Sequence, residues 1–187
     1  MKGGRIWPVW ALICLAVLQF GATDQKNRNA LKVEQLLKKI ETHHLPTDKP
    51  TLAAEVTEIE LNDYIAYRLA REKRPEINHL TVHLLDSNQI QGKIVFDAQR
   101  INLGLLFGET LDFDFKGMLH TRSGAVRLDL DTLLLHGRPV SPQTLDMVLG
   151  AIALYNGTES SHIDDWYKLP NGLKRIAVKK GRATLYY

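Results

Sequence analysis

Thiols are nearly missing from this chain: its 187 residues include one cysteine, Cys14, and that lies in an apolar N-terminal run. Everything beyond it has no disulfide, no thiolate nucleophile and no thiolate metal ligand, so packing has to supply the stability. An excess of one charge is missing too. Lysine and arginine number 24 against 21 acidic residues, a formal charge of +3; without Lys2 and Arg5, 22 basic residues face 21 acidic ones. That balance carries no global footprint of nucleic-acid binding. No glycine-rich phosphate loop, G-x-S-x-G elbow or H-E-x-x-H helix occurs, and no internal repeat or low-complexity tract breaks the chain. The commonest sequence routes to nucleotide, acyl-transfer and zinc-hydrolase chemistry are therefore closed.

What is present begins with a targeting pattern. Lys2 and Arg5 precede an apolar run from Ile6 to Ala22, interrupted only by Pro8, Gln19 and Gly21 and followed by Thr23-Asp24-Gln25-Lys26. This is the order of a Sec signal. Cleavage after Ala22 would place Phe20 where a small residue is expected, so a retained signal anchor is the alternative, and basic residues on the N-terminal side hold that end in the cytoplasm. Either outcome puts the rest of the chain outside the cytoplasm, in the periplasm or another extracytoplasmic space. Leu12-Ile13 before Cys14 lack the small residue of a lipoprotein signal. The expected organisation is a signal peptide or anchor over residues 1–22, an N-terminal helix and linker over 23–50, and one α+β domain over 51–187.

Val33, Leu36, Leu37 and Ile40 recur at helical spacing, predicting a helix from about Asn29 to His44 that Pro46 stops. Leu52 to Val56 reads as extended. Thr57 and Glu60 form the T-x-x-E capping box that opens a second helix, whose buried stripe is Leu61, Tyr64, Ile65 and Leu69. The period then changes to 2. Leu80, Val82 and Leu84, next Ile90 to Ala98, next Leu111 to Leu119, and finally Val126, Leu128, Leu130 and Leu134 alternate with polar residues and predict a four-stranded antiparallel meander with one apolar face. Ser141-Pro142 starts a covering helix with Leu145, Val148, Leu149 and Ile152, and Lys180-Gly181 turns a final hairpin. The fold class expected is α+β, a curved antiparallel meander packed against amphipathic helices.

Chemically suggestive groups each have a plain structural explanation. His79 and His83 fall on one strand face about 13 Å apart, too far to share an ion. His43 and His44 suit a helix C-terminus. His162, Asp164 and Asp165 are the one local cluster of ligand-type residues, in a polar turn after Glu159-Ser160-Ser161. The pairs Asp112/Asp114 and Asp129/Asp131 have the spacing of a solvated sheet face, and Asn156-Gly157-Thr158 matches a short glycosylation acceptor. After Asp165 the chain carries Lys168, Lys174, Arg175, Lys179, Lys180 and Arg182 without an acid, a stretch suited to a solvated strand or to anionic lipid. Expected catalytic residues, metal ligands and cofactors are none.

The apolar, glycine-punctuated connection Ile101-Asn102-Leu103-Gly104-Leu105-Leu106-Phe107-Gly108 is unusual, because loops between strands are commonly polar. It reads either as a lipid-facing or ligand-gating loop, or as a bulged strand end whose side chains enter the core.

The helix Thr57-Glu58-Ile59-Glu60-Leu61-Asn62-Asp63-Tyr64-Ile65, the meander after it and the Leu169-Pro170-Asn171-Gly172 turn into a basic hairpin resemble exported bacterial proteins of the YpmS-like family. More remotely they are similar to single-module relatives of the tubular lipid-binding (TULIP) proteins. The resemblance implies a curved sheet around a long helix, an apolar groove for an acyl or polycyclic ligand, and no catalytic residues. On that basis the expected function is non-enzymatic binding of a lipid-like ligand. Ile94, Phe96, Phe113, Phe115, Leu128, Leu130, Val148 and Ile152 would line the groove, with Leu105 and Phe107 at its mouth. The same residues equally make a closed core. The competing expectation is a membrane-tethered interaction module of the cell envelope, with a protein partner and no ligand.

Overall fold

The computed structural model describes residues 10–42, 51–72, 75–122, 124–158 and 162–187, with side chains from residue 24 on. The expectations for Lys2, Arg5, His43, His44, Pro46 and the Glu159-Ser160-Ser161 turn fall outside the described residues.

The first helix, α1 (Trp10–Thr42), runs unbroken across the expected boundary at residue 22. The stripe predicted from its spacing is the face it buries, with Ile40 wholly buried and Val33 nearly so. No helix among the described residues is long and apolar enough to cross a membrane. Strand β1 (Ala53–Thr57) leads directly into α2 (Glu58–Arg71). The capping box is formed: Thr57 Oγ1 accepts from Glu60 N–H at 3.3 Å while Glu60 Oε2 accepts from Thr57 N–H at 2.9 Å. Two of the donors that a first helical turn leaves unpaired are thereby satisfied.

The meander consists of β2 (Ile77–Leu84), β3 (Gln89–Asp97), β4 (Thr110–Arg122) and β5 (Ala125–Leu135). A one-turn helix, α3 (Gly104–Phe107), lies between β3 and β4. The short β6 (Arg138–Pro139) completes a sheet of order β2-β3-β4-β5-β6, all neighbours antiparallel, and β7 (Tyr167–Lys168) pairs with the start of β5. Between β5 and β7 comes α4 (Pro142–Asn156), with Pro142 in its first turn and the left-handed Gly157 at its end. The alternation predicted along β5 holds only as far as Leu130. The register slips beside Lys116 and Gly117, so that Gly117 faces Leu130 while Lys116 faces Thr132. Past this bulge the parity inverts, and Leu133 is buried in the core while Leu134 is not.

The final hairpin, β8 (Arg175–Lys179) and β9 (Arg182–Tyr186), forms a second sheet by pairing β9 with β1, in the order β1-β9-β8. Its β8 edge is stitched to the main sheet. Asn88 N–H donates to Val178 C=O at 3.2 Å, Val178 N–H donates to Asn88 Oδ1 at 2.7 Å, and Thr121 Oγ1 donates to Ile176 C=O at 2.9 Å. The molecule is an α+β fold, and the described residues form three buried apolar clusters. One lies where α3 and α4 cover the main sheet, around Phe96, Leu111, Phe113 and Val148. A second lies where α1, α2 and the small sheet meet, around Val33, Ile40, Val56, Leu173 and Leu185. A third, Leu84, Val178 and Ala183, joins the small sheet to the main one.

Candidate apolar binding site

The groove expected from the sequence corresponds to the first of these clusters. Phe96, Phe113 and Val148 are buried there, and Ile94, Phe107, Phe115, Leu130 and Ile152 pack against them. Phe96 and Phe113 meet edge to face, with centroids 6.1 Å apart. Leu128 is half-buried near Gly117. Leu105 points away from the rest and is fully exposed, as largely is Leu106. The unusual apolar connection is thus divided: Ile101, Leu103 and Phe107 join the core, while Leu105 and Leu106 project from α3. Neither of the two pockets that follow is lined by any residue of the expected groove.

An apolar cavity of about 300 Å³, partly open to solvent, lies instead between the second and third clusters. α1 contributes Val33 and Leu37, α2 contributes Leu61, Tyr64 and Ile65, and the main sheet closes it with Val82, Leu84, Ile90 and Leu119. Val56, Ile176, Val178, Ala183 and Leu185 of the small sheet form the opposite wall, and its lining is apolar throughout. These residues come from nearly the whole length of the chain. Each belongs to a stripe whose period is readable locally, but the strand β1 and the hairpin 175–186 that bring the stripes together pair across more than a hundred residues.

Polar ties hold the helices over the cavity. Asn29 Nδ2 donates to Asp63 Oδ2 at 2.7 Å, Lys32 pairs with Glu60, and Arg71 Nη1 lies 2.6 Å from Glu34 Oε1. The guanidinium of Arg71 lowers the Glu34 pKa below the usual carboxylate value. Burial pushes Glu58 and Glu60 upward, but it is outweighed in both. Glu58 is lowered by the Leu84 N–H and by His83, and Glu60 by Lys32 and the Thr57 donors.

The other residues marked by the sequence are placed as surface chemistry. His83 Nδ1 sits 3.0 Å from Glu58, His120 Nε2 3.1 Å from Asp129, and His162 Nδ1 3.3 Å from Asp146. Asp165 accepts from the His162 backbone N–H. Asp112 pairs with Lys93 at 3.0 Å. The basic residues between Lys168 and Arg182 are exposed, with Arg175 stacked 4.0 Å over Tyr186 and Arg182 3.6 Å from Glu55. No group of three or more histidine, cysteine and acidic side chains placed to hold a metal ion occurs among the described residues.

A second cleft, of about 900 Å³, lies alongside α2 and the first half of β2; it is lined by both polar and apolar residues, among them Lys26, Ala66, Ala70, Leu80 and Arg100. Nothing in the sequence marks it, because it arises from small residues on α2 standing beside a strand edge. Compared with known proteins, the chain matches no family model and no curated sequence.

Proposed function

We propose that this chain is an exported, non-enzymatic binding protein that holds a hydrophobic, lipid-like ligand in the cavity between α1, α2 and the two sheets. The observation that supports this reading is the wholly apolar space of about 300 Å³ at a junction of elements. Interiors pack to near-crystalline density and leave few voids larger than a water molecule, whereas ligand pockets begin at roughly 300 Å³. The pocket is partly open to solvent, which gives a ligand a way in, and its apolar lining favours hydrocarbon over water. Its size suits a single acyl chain better than a two-chain lipid. Export through the signal expected over residues 1–22 would bring such a carrier next to a membrane, its source of ligand.

The test uses the full chain, produced in an exporting host and purified without detergent, followed by organic extraction and mass spectrometry. A single-chain amphiphile at close to one per protein is expected, and its loss in Ala183→Phe, where the new ring occupies the cavity. Protein free of extractable lipid, together with no thermal stabilisation by fatty acids or sterols, would sink the proposal.

A further inference from the structure

The first strand of the main sheet has an open edge, and α2 runs beside it. In a strand, alternate residues turn both N–H and C=O toward the same edge. Along β2 those residues include Leu84, Val82 and Leu80. Leu84 is satisfied: its N–H donates to Glu58 Oε2 at 2.7 Å and its C=O accepts from Gly181 N–H at 2.9 Å. Val82 is satisfied by one side chain. Its N–H donates to Asn62 Oδ1 and its C=O accepts from Asn62 Nδ2, both at 2.8 Å. The Asn62 amide therefore offers Val82 one acceptor and one donor, as the backbone of an added strand would.

One helical turn beyond Asn62 stands Ala66, and one turn further Ala70. Their methyl groups carry no hydrogen-bonding atom. Among the described residues no side chain takes up the outward pair of Leu80, and at this point the cleft of about 900 Å³ opens, with Ala66, Leu69, Ala70, Ile77 and Leu80 among its walls. Its acids are already engaged. Asp63 accepts from Asn29, and Asp97 accepts from the backbone and the guanidinium of Arg100. Beside the polar Lys26, Asn27, Asn78 and His79, the cleft offers a visitor a backbone donor and acceptor next to small apolar surfaces.

We propose that this cleft is a strand-addition site, which takes a short extended peptide segment of a partner protein. The peptide pairs with Leu80 as the Asn62 amide pairs with Val82, and sets its small or β-branched side chains against Ala66 and Ala70. The register slip between Ile77 and His79 ends the regular edge, so the segment is short. This site is separate from the apolar cavity, and either can be occupied without the other.

The probe is a fluorescent, acetylated and amidated five-residue peptide of alternating threonine and valine, titrated into the full chain by anisotropy, with hydrogen exchange of residues 77–84 read in parallel. Saturable binding with slowed exchange in β2 is expected. Methylation of the central peptide nitrogens should weaken binding by about tenfold or more, and so should Ala66→Asn, which supplies the edge with a second internal amide. Ala183→Phe should leave binding unchanged, which separates this proposal from the ligand cavity. No binding at millimolar peptide, equal binding of the N-methylated peptide, or binding without protection of residues 77–84 would each overturn the assignment.

Discussion

Single residues decide several features that burial alone does not. Gly92 is an example: a Cβ there would fall 2.4 Å from the Phe115 ring and 2.6 Å from the Thr81 carbonyl oxygen. The missing side chain is what lets Phe115 lie across β3 from its paired position on β4. Gly92→Ala should cost about 1–3 kcal/mol by overpacking, measured by urea denaturation. Phe113, fully buried and in ring contact with Phe96, should cost about 3–5 kcal/mol on replacement by alanine. Protonation acts at this scale as well. Glu58 and Glu60 have folded pKa values below the ordinary 4.5, so the stability they contribute is full above that pH and is lost as pH falls through the folded values. Glu60→Gln should therefore lower stability at pH 7 and flatten the acid limb of a stability-against-pH curve. An acid limb as steep as that of the unaltered protein would show that Glu60 does not contribute.

At the scale of elements, α2 has the most work to do, and its sequence explains how it does it. Thr57 and Glu60 fix its start, Leu61, Tyr64 and Ile65 face the cavity, and Glu58 and Asn62 satisfy the β2 edge. Thr57→Ala should cost about 1 kcal/mol through the lost cap. Asn62→Ala should instead speed hydrogen exchange locally in β2, because it opens Val82 while leaving the cap intact. The start of α2, the four long strands, α4 and the terminal hairpin were all legible from period, caps and turns. The slip opposite Lys116 was not, since a bulge leaves no mark in an alternating sequence until the partner strand is known. Along β5 the run Thr132-Leu133-Leu134-Leu135 supports either parity, and only pairing with β4 puts Leu133 inside.

The whole molecule depends on α1 being a packed element of the fold. Ile40 is wholly buried, and its carbonyl oxygen would meet a Cβ at Gly172 at 2.4 Å, where φ is also +85°. The helix end and the Leu169-Pro170-Asn171-Gly172 turn thus lock against each other. Ile40→Ala should lower stability by about 2–5 kcal/mol and Gly172→Ala should also destabilise, both read by thermal unfolding. Unaltered stability in both variants would mean that α1 packs only loosely. Because Val33 and Leu37 form one wall of the cavity, Ile40→Ala should also release bound hydrophobic ligand faster.

The amino-acid order by itself determined the α+β class, the helical and alternating stripes, the capping box and the turns, because each rests on chemistry within a few residues. The tertiary structure decided which apolar stripes fill one another and which leave space. The residues expected to line a groove, from Ile94 to Ile152, include the stripe that α4 covers, and there most of them close into a core. The open volume lies where β1 and the last hairpin, pairing across the length of the chain, hold α1 and α2 over the main sheet. Local periodicity specifies that a face is apolar; whether that face is filled depends on the distance and angle of the element opposite, which only long-range pairing sets.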